Sequence, residues 1–528
     1  MSKFIIVSDA SNCSFRDLLN TGKSLLTSSI CPTHWLISGS SMQLLKIQNH
    51  RLLRKSDIFI TDKLPNPDHS TVVFLRAGDT LTQDALSLIA QHTDLHDVIY
   101  GDSAHGRASR FDEPSKARRP QWSPERLRSH NYVGDLLAAS PSVVTTAIKN
   151  LEGMPATLAT LATLATLHEH DRSLRLFDVC TSPYRIAHVL YHSSQERMTP
   201  TASLDAVQQH CTRTGIDAVC SIRQEIQSVR VSRRLHSQPK ISVIVPTRGT
   251  AETIKGKQVV LAAHTIEALI NNSTYQNFDV IAVLDSDTPS KGRQAIIKAG
   301  GDRLKVVDYD RPFNFAEKIN LGAVCSDSDL LLLLNDDTEI ISPDALETLS
   351  SILEDPSVAM AGPMLLYEDL AIQSAGHILN PVPIDLYRGH SSTLSGAQNI
   401  LKVQRETSGI IAACVLVKRD VYEQLGGLCT LFPSNFNDVD FGLKMQDAGY
   451  RVVWTPHAQF HHFESKTRSI KMHPSEVGNL GTRWRDKLED DPYFNPHLER
   501  YINIWKENVM GQRSVLDALG PTAPIASK

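Results

Sequence analysis

Between Ile241 and Asp336 the chain alternates strand-like apolar runs with helix-like segments, and this alternation restricts its fold more than any other feature. The apolar runs are ISVIV (241–245), DVIAVLD (279–285), LKVVDY (304–309) and LLLLLND (330–336), with helical periodicity over 257–271, 290–299 and 315–324. Short strands joined by helices predict βαβ units, hence an α/β fold with a mainly parallel sheet and helices on both faces. Ligands of such sheets gather beyond the carboxyl ends of the strands, so motifs directly after strands carry most weight. A further helix is expected from Ser342-Pro343-Asp344, where a capping hydroxyl, a first-turn proline and a dipole-matched acid coincide. Leu346, Leu349 and Leu353 would line its buried face, and Pro356 would end it.

A chain of 528 residues exceeds what one core supports, so at least two domains are expected. The boundary falls in the basic stretch Arg230–Lys240, RVSRRLHSQPK, just ahead of the apolar burst at Ile241. This gives a first domain over 1–230, a linker over 231–240, a second domain over 241–510 and a mobile tail over 511–528. In the first domain the pattern is weaker: strands at Thr71–Leu75 and Asp97–Tyr100, and a helix at Leu81–Gln91. Thr157–Leu167 repeats Thr-Leu-Ala, and a three-residue period drifts around a 3.6-residue helix, which reads as a short low-complexity helix without catalytic content. With 54 Lys plus Arg against 58 Asp plus Glu, the charge of −4 argues against nucleic acid as a partner. The eight cysteines form no Cys-x-x-Cys pair and fit buried thiols in a reducing compartment. The start, MSKFIIVSDASNCSF, has too short an apolar run for a signal peptide, and no stretch nears the roughly 18 to 20 apolar residues of a membrane span. A cytoplasmic protein is expected, at most peripheral at the inner face of the cell membrane.

Three segments carry chemistry. Asn335-Asp336-Asp337-Thr338 directly follows a buried-type strand, where carboxylates can hold a hard divalent cation; alone, it also fits a solvated turn. Asn437-Asp438-Val439-Asp440 opens a helical pattern closed by Gly449, with Asn437 able to cap it and Asp438 kept ionised by the helix dipole, as a general base must be. Two acids there would equally serve the dipole alone. His461-His462 offers imidazole to a metal, or fills a structural place.

Taken in order, these segments resemble the family 2 glycosyltransferases of GT-A fold, and within them the two-domain bacterial enzymes of O-antigen and rhamnan-type polysaccharide assembly. The resemblance runs from about Ile241 to Pro496 through Ile241–Arg248, Asp285, Arg311-Pro-Phe-Asn-Phe315 with Asn320, and Asn335–Thr338. It continues through Ile372–Gly376, Asn437–Asp440, Gly449–Pro456 and His461–Glu464. It implies that Pro246, Thr247 and Asp285 contact the nucleotide, that Arg248 and Arg311 lie near phosphate, and that Asn320 belongs to the donor site. Asn335, Asp336 and Asp337 take the Asp-x-Asp position, with Asn335 a departure from its first acid. Asp337 and either His461 or His462 would ligate Mg²⁺ or Mn²⁺, and Asp438 would be the catalytic base. The implied reaction is inverting transfer from a UDP-, dTDP- or GDP-sugar to an oligosaccharide or lipid-linked acceptor.

The first domain resembles the same architecture more faintly, in Phe74–Leu81, Val98–Asp102, Gln121–Pro124 with Asn131-Tyr132, and Tyr184–His192. Arg76 and Gly78 stand where acids are expected and only Asp79 remains, while the Thr-Leu-Ala repeat falls where the second acidic motif should be. A degenerate, non-catalytic GT-A-like domain is the expectation. Competing functions are an inactive nucleotide- or glycan-binding protein and a nucleotidyltransferase; the latter would need a Gly-rich loop with a downstream lysine, which Pro246-Thr-Arg-Gly-Thr250 lacks.

Overall fold

The apolar runs pair into two large sheets, one in each half of the chain; the structure is a computed structural model that describes residues 3–62, 69–106, 114–151, 161–194, 202–463 and 472–508. The first sheet contains β1 (Lys3–Asp9), β2 (His34–Ser38), β3 (Phe59–Thr61), β4 (Ser70–Phe74), β5 (Thr80–Leu81), β6 (Val98–His105), β7 (Leu137–Ala139) and β8 (Pro183–Ser193). Their order is β3-β2-β1-β4-β7-β6-β8-β5. The second contains β9 (Ile241–Thr247), β10 (Phe278–Asp285), β11 (Leu304–Tyr309), β12 (Leu330–Leu334), β13 (Thr338–Ile340), β14 (Val358–Leu366), β15 (Cys414–Lys418) and β16 (Arg451–His462). Its order is β11-β10-β9-β12-β15-β14-β16-β13. Adding eight to each strand number converts the first order into the second. The pairing senses agree as well: β1/β2, β1/β4, β2/β3 and β6/β8 are parallel, and β4/β7, β6/β7 and β5/β8 antiparallel. Every counterpart in the second sheet repeats that sense. The two halves are therefore two copies of one topology, a mixed α/β fold with a parallel-rich sheet.

The leucine run shows why β12 is central. Side chains alternate across a strand, so Leu330, Leu332 and Leu334 enter the core on one face and Leu331 and Leu333 the core on the other. A strand covered on both faces reads as continuously apolar. The first face is covered by α1 (Leu261–Asn272) and helix Ala345–Leu353, the second by α2 (Phe315–Val324) and α3 (Asn437–Asp447). Gly322 lets α2 lie directly on β9, since a Cβ there would come within 2.4 Å of Ile244 Cγ2.

Several local expectations need correction. The helix expected over 257–271 begins only at Leu261, because Ala251–Ile254 and Lys257–Val260 form a hairpin. Its turn residues Lys255 and Gly256 have φ of 48° and 76°, the left-handed pair that two-residue hairpins require. Helix Ala345–Leu353 starts after Pro343, with Asp344 as its N-cap in place of Ser342, though Leu346, Leu349 and Leu353 are buried as expected. Asn437 is the first residue of α3 and not its cap; Phe436, at φ 62°, holds the cap position and the Asn437 amide donates to Phe432 O. Residues 231–233 of the expected linker finish a hairpin strand, Ser228–Arg233. In the first half Leu81 belongs to β5 and the following helix is Ala85–Ala90. Within the Thr-Leu-Ala repeat, Leu161–Thr166 is helical; 157–160, Glu464 and the tail 511–528 lie outside the described residues. All eight cysteines are free, but only Cys211 and Cys414 are buried; Cys31 is exposed and the other five are partly exposed. Among the described residues no helix is long and apolar enough to cross a membrane.

Candidate active site

Beyond Ile244 strand β9 no longer pairs with β12, although it keeps its register with β10 through Thr247. Pro246, which has no N–H to give a ladder, sits where the strands part. The opened sheet edge holds a buried polar cluster. Thr247 Oγ1 donates to Asp336 Oδ2 at 2.6 Å. Lys318, only 1% exposed, projects from α2 and donates from Nζ to Thr247 O and to Asp285 Oδ1, both at 3.0 Å. Burial lowers the Lys318 pKa against the pull of Asp285. Arg248 Nε lies 3.6 Å from Asp285 Oδ2 with its side chain largely exposed, so Asp285 carries one buried and one exposed cation.

Next to this cluster stand the aspartates of the β12–β13 turn. Burial and the adjacent Asp337 push Asp336 up to about 7. Burial also opposes the charge of Asp337, but His462 outweighs it and the carboxyl lies below its usual value. The two histidines diverge because successive side chains on β16 point to opposite faces. His462 Nε2 is 3.2 Å from Asp337 Oδ1 and 3.4 Å from Asn335 Nδ2, whereas His461 Nδ1 meets Tyr367 O at 3.1 Å and its ring stacks on Phe463. Register adds a second reason, since Thr338 pairs directly with His462 and Glu339 with His461. Asp337 and His462 thus share one small volume, which suits a cation bound by two protein donors with diphosphate oxygens and water completing the shell. Among the described residues no group of three or more His, Cys, Asp or Glu side chains surrounds a common point.

Asp438 reaches the same edge from the other side. The Ala412 N–H donates to Asp438 Oδ2 at 3.2 Å, while the next residue, Ala413, accepts from the Asn335 N–H at 2.9 Å. Two consecutive residues, Ala412 and Ala413, therefore tie the start of α3 to the Asn335–Asp337 turn. Asp440 is fully buried and occupied elsewhere, accepting from Trp484 Nε1 at 2.8 Å and Arg483 Nε at 2.9 Å, so its role is to fix α3 against helix Pro474–Glu489.

Two expected site residues are placed differently. Asn320 spends its side chain on protein: Nδ2 donates to Leu428 O, and Oδ1 accepts from Tyr422 Oη and Leu428 N. It braces the 422–428 turn. Arg311 is exposed and its nearest acid is Glu317 at 3.8 Å, outside the Thr247–Asp336–Lys318 cluster. Two residues absent from the expectation enter the site. Lys318 is one, a helical lysine that the sequence alone reads as solvated and that the structure buries. His377 is the other, buried, 3.5 Å from Asp385 Oδ1, with burial opposed and outweighed by Asp385 and Asp438 so that its pKa is raised. In the first half, the helix before β8, Glu169–Asp178, occupies the place that α3 holds before β16. The second acidic position is therefore not the Thr-Leu-Ala repeat, and its first residue, Glu169, is an acid bonded to Arg76 at 2.9 Å.

An opened parallel sheet edge, a carboxylate–histidine pair at the β12–β13 turn and an acid in the first turn of α3 fit the plan of a GT-A fold. Residues 239–486 match the family described as glycosyltransferase like family 2, and this segment is a family 2-like glycosyltransferase domain. Among its relatives, the chain is 28% identical over 464 residues to the uncharacterized protein y4gI of Sinorhizobium fredii, covering 81% of this chain and 48% of that one. It is 28% identical over 451 residues to the O-antigen biosynthesis protein RfbC of Myxococcus xanthus, covering 81% and 34%. The chain thus spans about half or less of the length of these relatives. Similar solved structures include the mannosyltransferase PcManGT of Pyrobaculum calidifontis in complex with GDP-Man and Mn²⁺, at TM-score 0.35 and 17% identity over 49% of this chain and 68% of that one. GalNAc-T7 with UDP, GalNAc and Mn²⁺ is similar at TM-score 0.40 and 12% identity over 56% and 60%.

Proposed function

We propose that the protein is an inverting glycosyltransferase that moves a sugar from a nucleoside-diphosphate sugar, UDP-, dTDP- or GDP-linked, to an oligosaccharide or lipid-linked acceptor. The process is the assembly of a cell-surface polysaccharide of O-antigen type, at the inner face of the membrane. The observation that carries this reading is the junction at Ala412-Ala413, which holds Asp438 and the Asn335–Asp337 turn to one edge. Thr247, Asp285 and Lys318 bind the nucleoside end, with Pro246 shaping the opening and Arg248 reaching toward phosphate. Asp337 and His462 would hold Mg²⁺ or Mn²⁺, which supplies charge neutralisation for the departing diphosphate. Asp438 accepts the proton of the acceptor hydroxyl as that oxygen bonds to the anomeric carbon; the bond from carbon to the diphosphate oxygen breaks, and its electron pair leaves with the nucleotide. The N-terminal copy serves as a non-catalytic scaffold.

The deciding experiment is turnover of a panel of nucleotide sugars with Mn²⁺ by the full chain and by Asp438→Asn. The variant keeps an oxygen for the Ala412 N–H, so it should bind nucleotide within about twofold of wild type while kcat falls by about 10²- to 10⁴-fold. Nucleotide binding with no release from any donor, lipid-linked acceptors included, would replace the enzyme by a binding protein.

A further inference from the structure

The segment that holds Asp438 is anchored in the opposite half of the molecule. Residues 404–413 run from the junction between the halves to the sheet edge. At the edge, Ala412 and Ala413 bond Asp438 and Asn335 as described. Midway, Thr407 Oγ1 donates to His377 O at 2.8 Å and Gly409 O accepts from His377 N at 2.8 Å. Gly409 also lies against α3, since a Cβ on Gly442 would sit 3.0 Å from Gly409 Cα. The backbone is thereby clamped between α3 and His377, with no slack to absorb a shift at its start.

That start is held by the short N-terminal helix Pro124–Ser129. Its first turn presents free N–H groups, and Glu406 supplies the cap from the other half: Glu125 N donates to Glu406 Oε1 at 3.3 Å and Ser123 Oγ donates to Oε2. Gln404 Nε2 in turn donates to Glu125 Oε2 at 2.7 Å. Glu125 and Glu406 are 2% and 1% exposed. Their charges are met by Arg451, 2.6 Å from Glu406, and by Arg233, 2.7 Å from Glu125. Buried carboxylates are tolerable only when fully bonded, and each lost partner is felt by the rest.

We infer that Ser123 and Glu125 are positioning residues for the C-terminal site: through Glu406 they set the 404–413 segment and, with it, the amide that orients Asp438. The inference builds on the proposed role of Asp438, and it gives the N-terminal copy a defined task. Displacements near 1 Å in such supporting structure cost about 100-fold in rate.

The test compares Ser123→Ala and Ser123→Thr with wild type in the full chain, using amide hydrogen exchange, nucleotide titration with Mn²⁺ and UDP, dTDP or GDP, and donor turnover. For Ser123→Ala, exchange over 407–413 should accelerate about tenfold while β1 and β4 are unaffected. Its kcat should fall about tenfold or more with nucleotide Kd within about twofold, and Ser123→Thr should restore both. Unchanged exchange over 407–413, or a lower melting temperature with unchanged kcat, would reduce the helix to an interface contact and overturn the inference. If wild type turns over no donor while the exchange responds as stated, the anchoring stands and the enzymatic reading falls.

Discussion

At the residue scale the two late histidines separate by one position on β16. His462 faces Asp337 and Asn335 while His461 faces Tyr367 O. His462→Ala should weaken Mn²⁺ binding by about tenfold or more, and His461→Ala should leave it nearly unchanged, as measured by calorimetric titration in the presence of nucleoside diphosphate. Equal losses in both variants would move the metal elsewhere. Lys318 makes a second case. It is the buried cation shared by Thr247 O, Asp285 and, through space, Asp336. Lys318→Met keeps the volume but strips the charge, leaving buried acids uncompensated; a stability loss of about 3 kcal/mol or more in urea unfolding is expected, together with weaker nucleotide binding. Asp337, the pair His461-His462 and Asp438 stood out as candidates because each lies in a short phrase at a strand or helix end. Lys318 did not, because a helical lysine reads as solvated until the strand beneath it, and Asp285 at its end, are in place. Nor could the sequence divide His461 from His462, since their facing depends on the register of β13 against β16.

At the element scale, alternation marked β9 to β12 and the helices between them; β9, β10 and β12 are buried on both faces and leave a continuous apolar signature, while β11, at the sheet edge, is mostly half-buried. The 251–260 hairpin escaped because its turn is Lys255-Gly256, where the first residue adopts φ 48° without being glycine or asparagine. Helix Glu169–Asp178 also stayed hidden, its polar sequence masking a largely buried element. It carries a pH-dependent load. His170 is fully buried, accepts from Ser203 N at Nδ1 and faces Leu127 O with Nε2 at 2.6 Å, an arrangement only the neutral ring satisfies. Burial lowers its pKa to about 4. A folded pKa below the unfolded value near 6.5 means that the unfolded chain takes up the proton first, so stability is present in full above that value and is lost as pH falls toward 4. Between pH 7 and 5 this amounts to about 2 kcal/mol. His130, also lowered by burial, acts in the same direction. His170→Gln retains a donor for Leu127 O without titrating. The difference in urea stability between pH 7 and 5 should therefore shrink by about 2 kcal/mol, and an undiminished difference would clear His170 of the effect.

At the scale of the whole molecule, one topology occurs twice and its chemistry is arranged differently in each copy. Thr80 pairs with His192 as Thr338 pairs with His462, which sets Asp79 in the position of Asp337. Yet Asp79 Oδ1 accepts from the N–H and hydroxyl of Ser194, at 2.7 and 2.8 Å, and burial with the nearby Asp135 pushes its carboxyl up to about 7. The cation at this edge is the protein's own: Arg76 lies 2.9 Å from Glu169 and 3.7 Å from Asp135. A guanidinium bonded to Glu169 and paired with Asp135 offsets part of their charge, and a divalent ion entering there would meet like charge at close range. In the C-terminal copy the partner of Asp337 is the imidazole of His462, 3.2 Å away, a side chain that can itself ligate a metal. Titration of the full chain with Mn²⁺ and nucleoside diphosphate should therefore reach one equivalent, be lost in Asp337→Ala and persist in Asp79→Ala. Two equivalents, or loss through Asp79, would mean that the Arg76 ion pair opens and that the first copy binds donor after all.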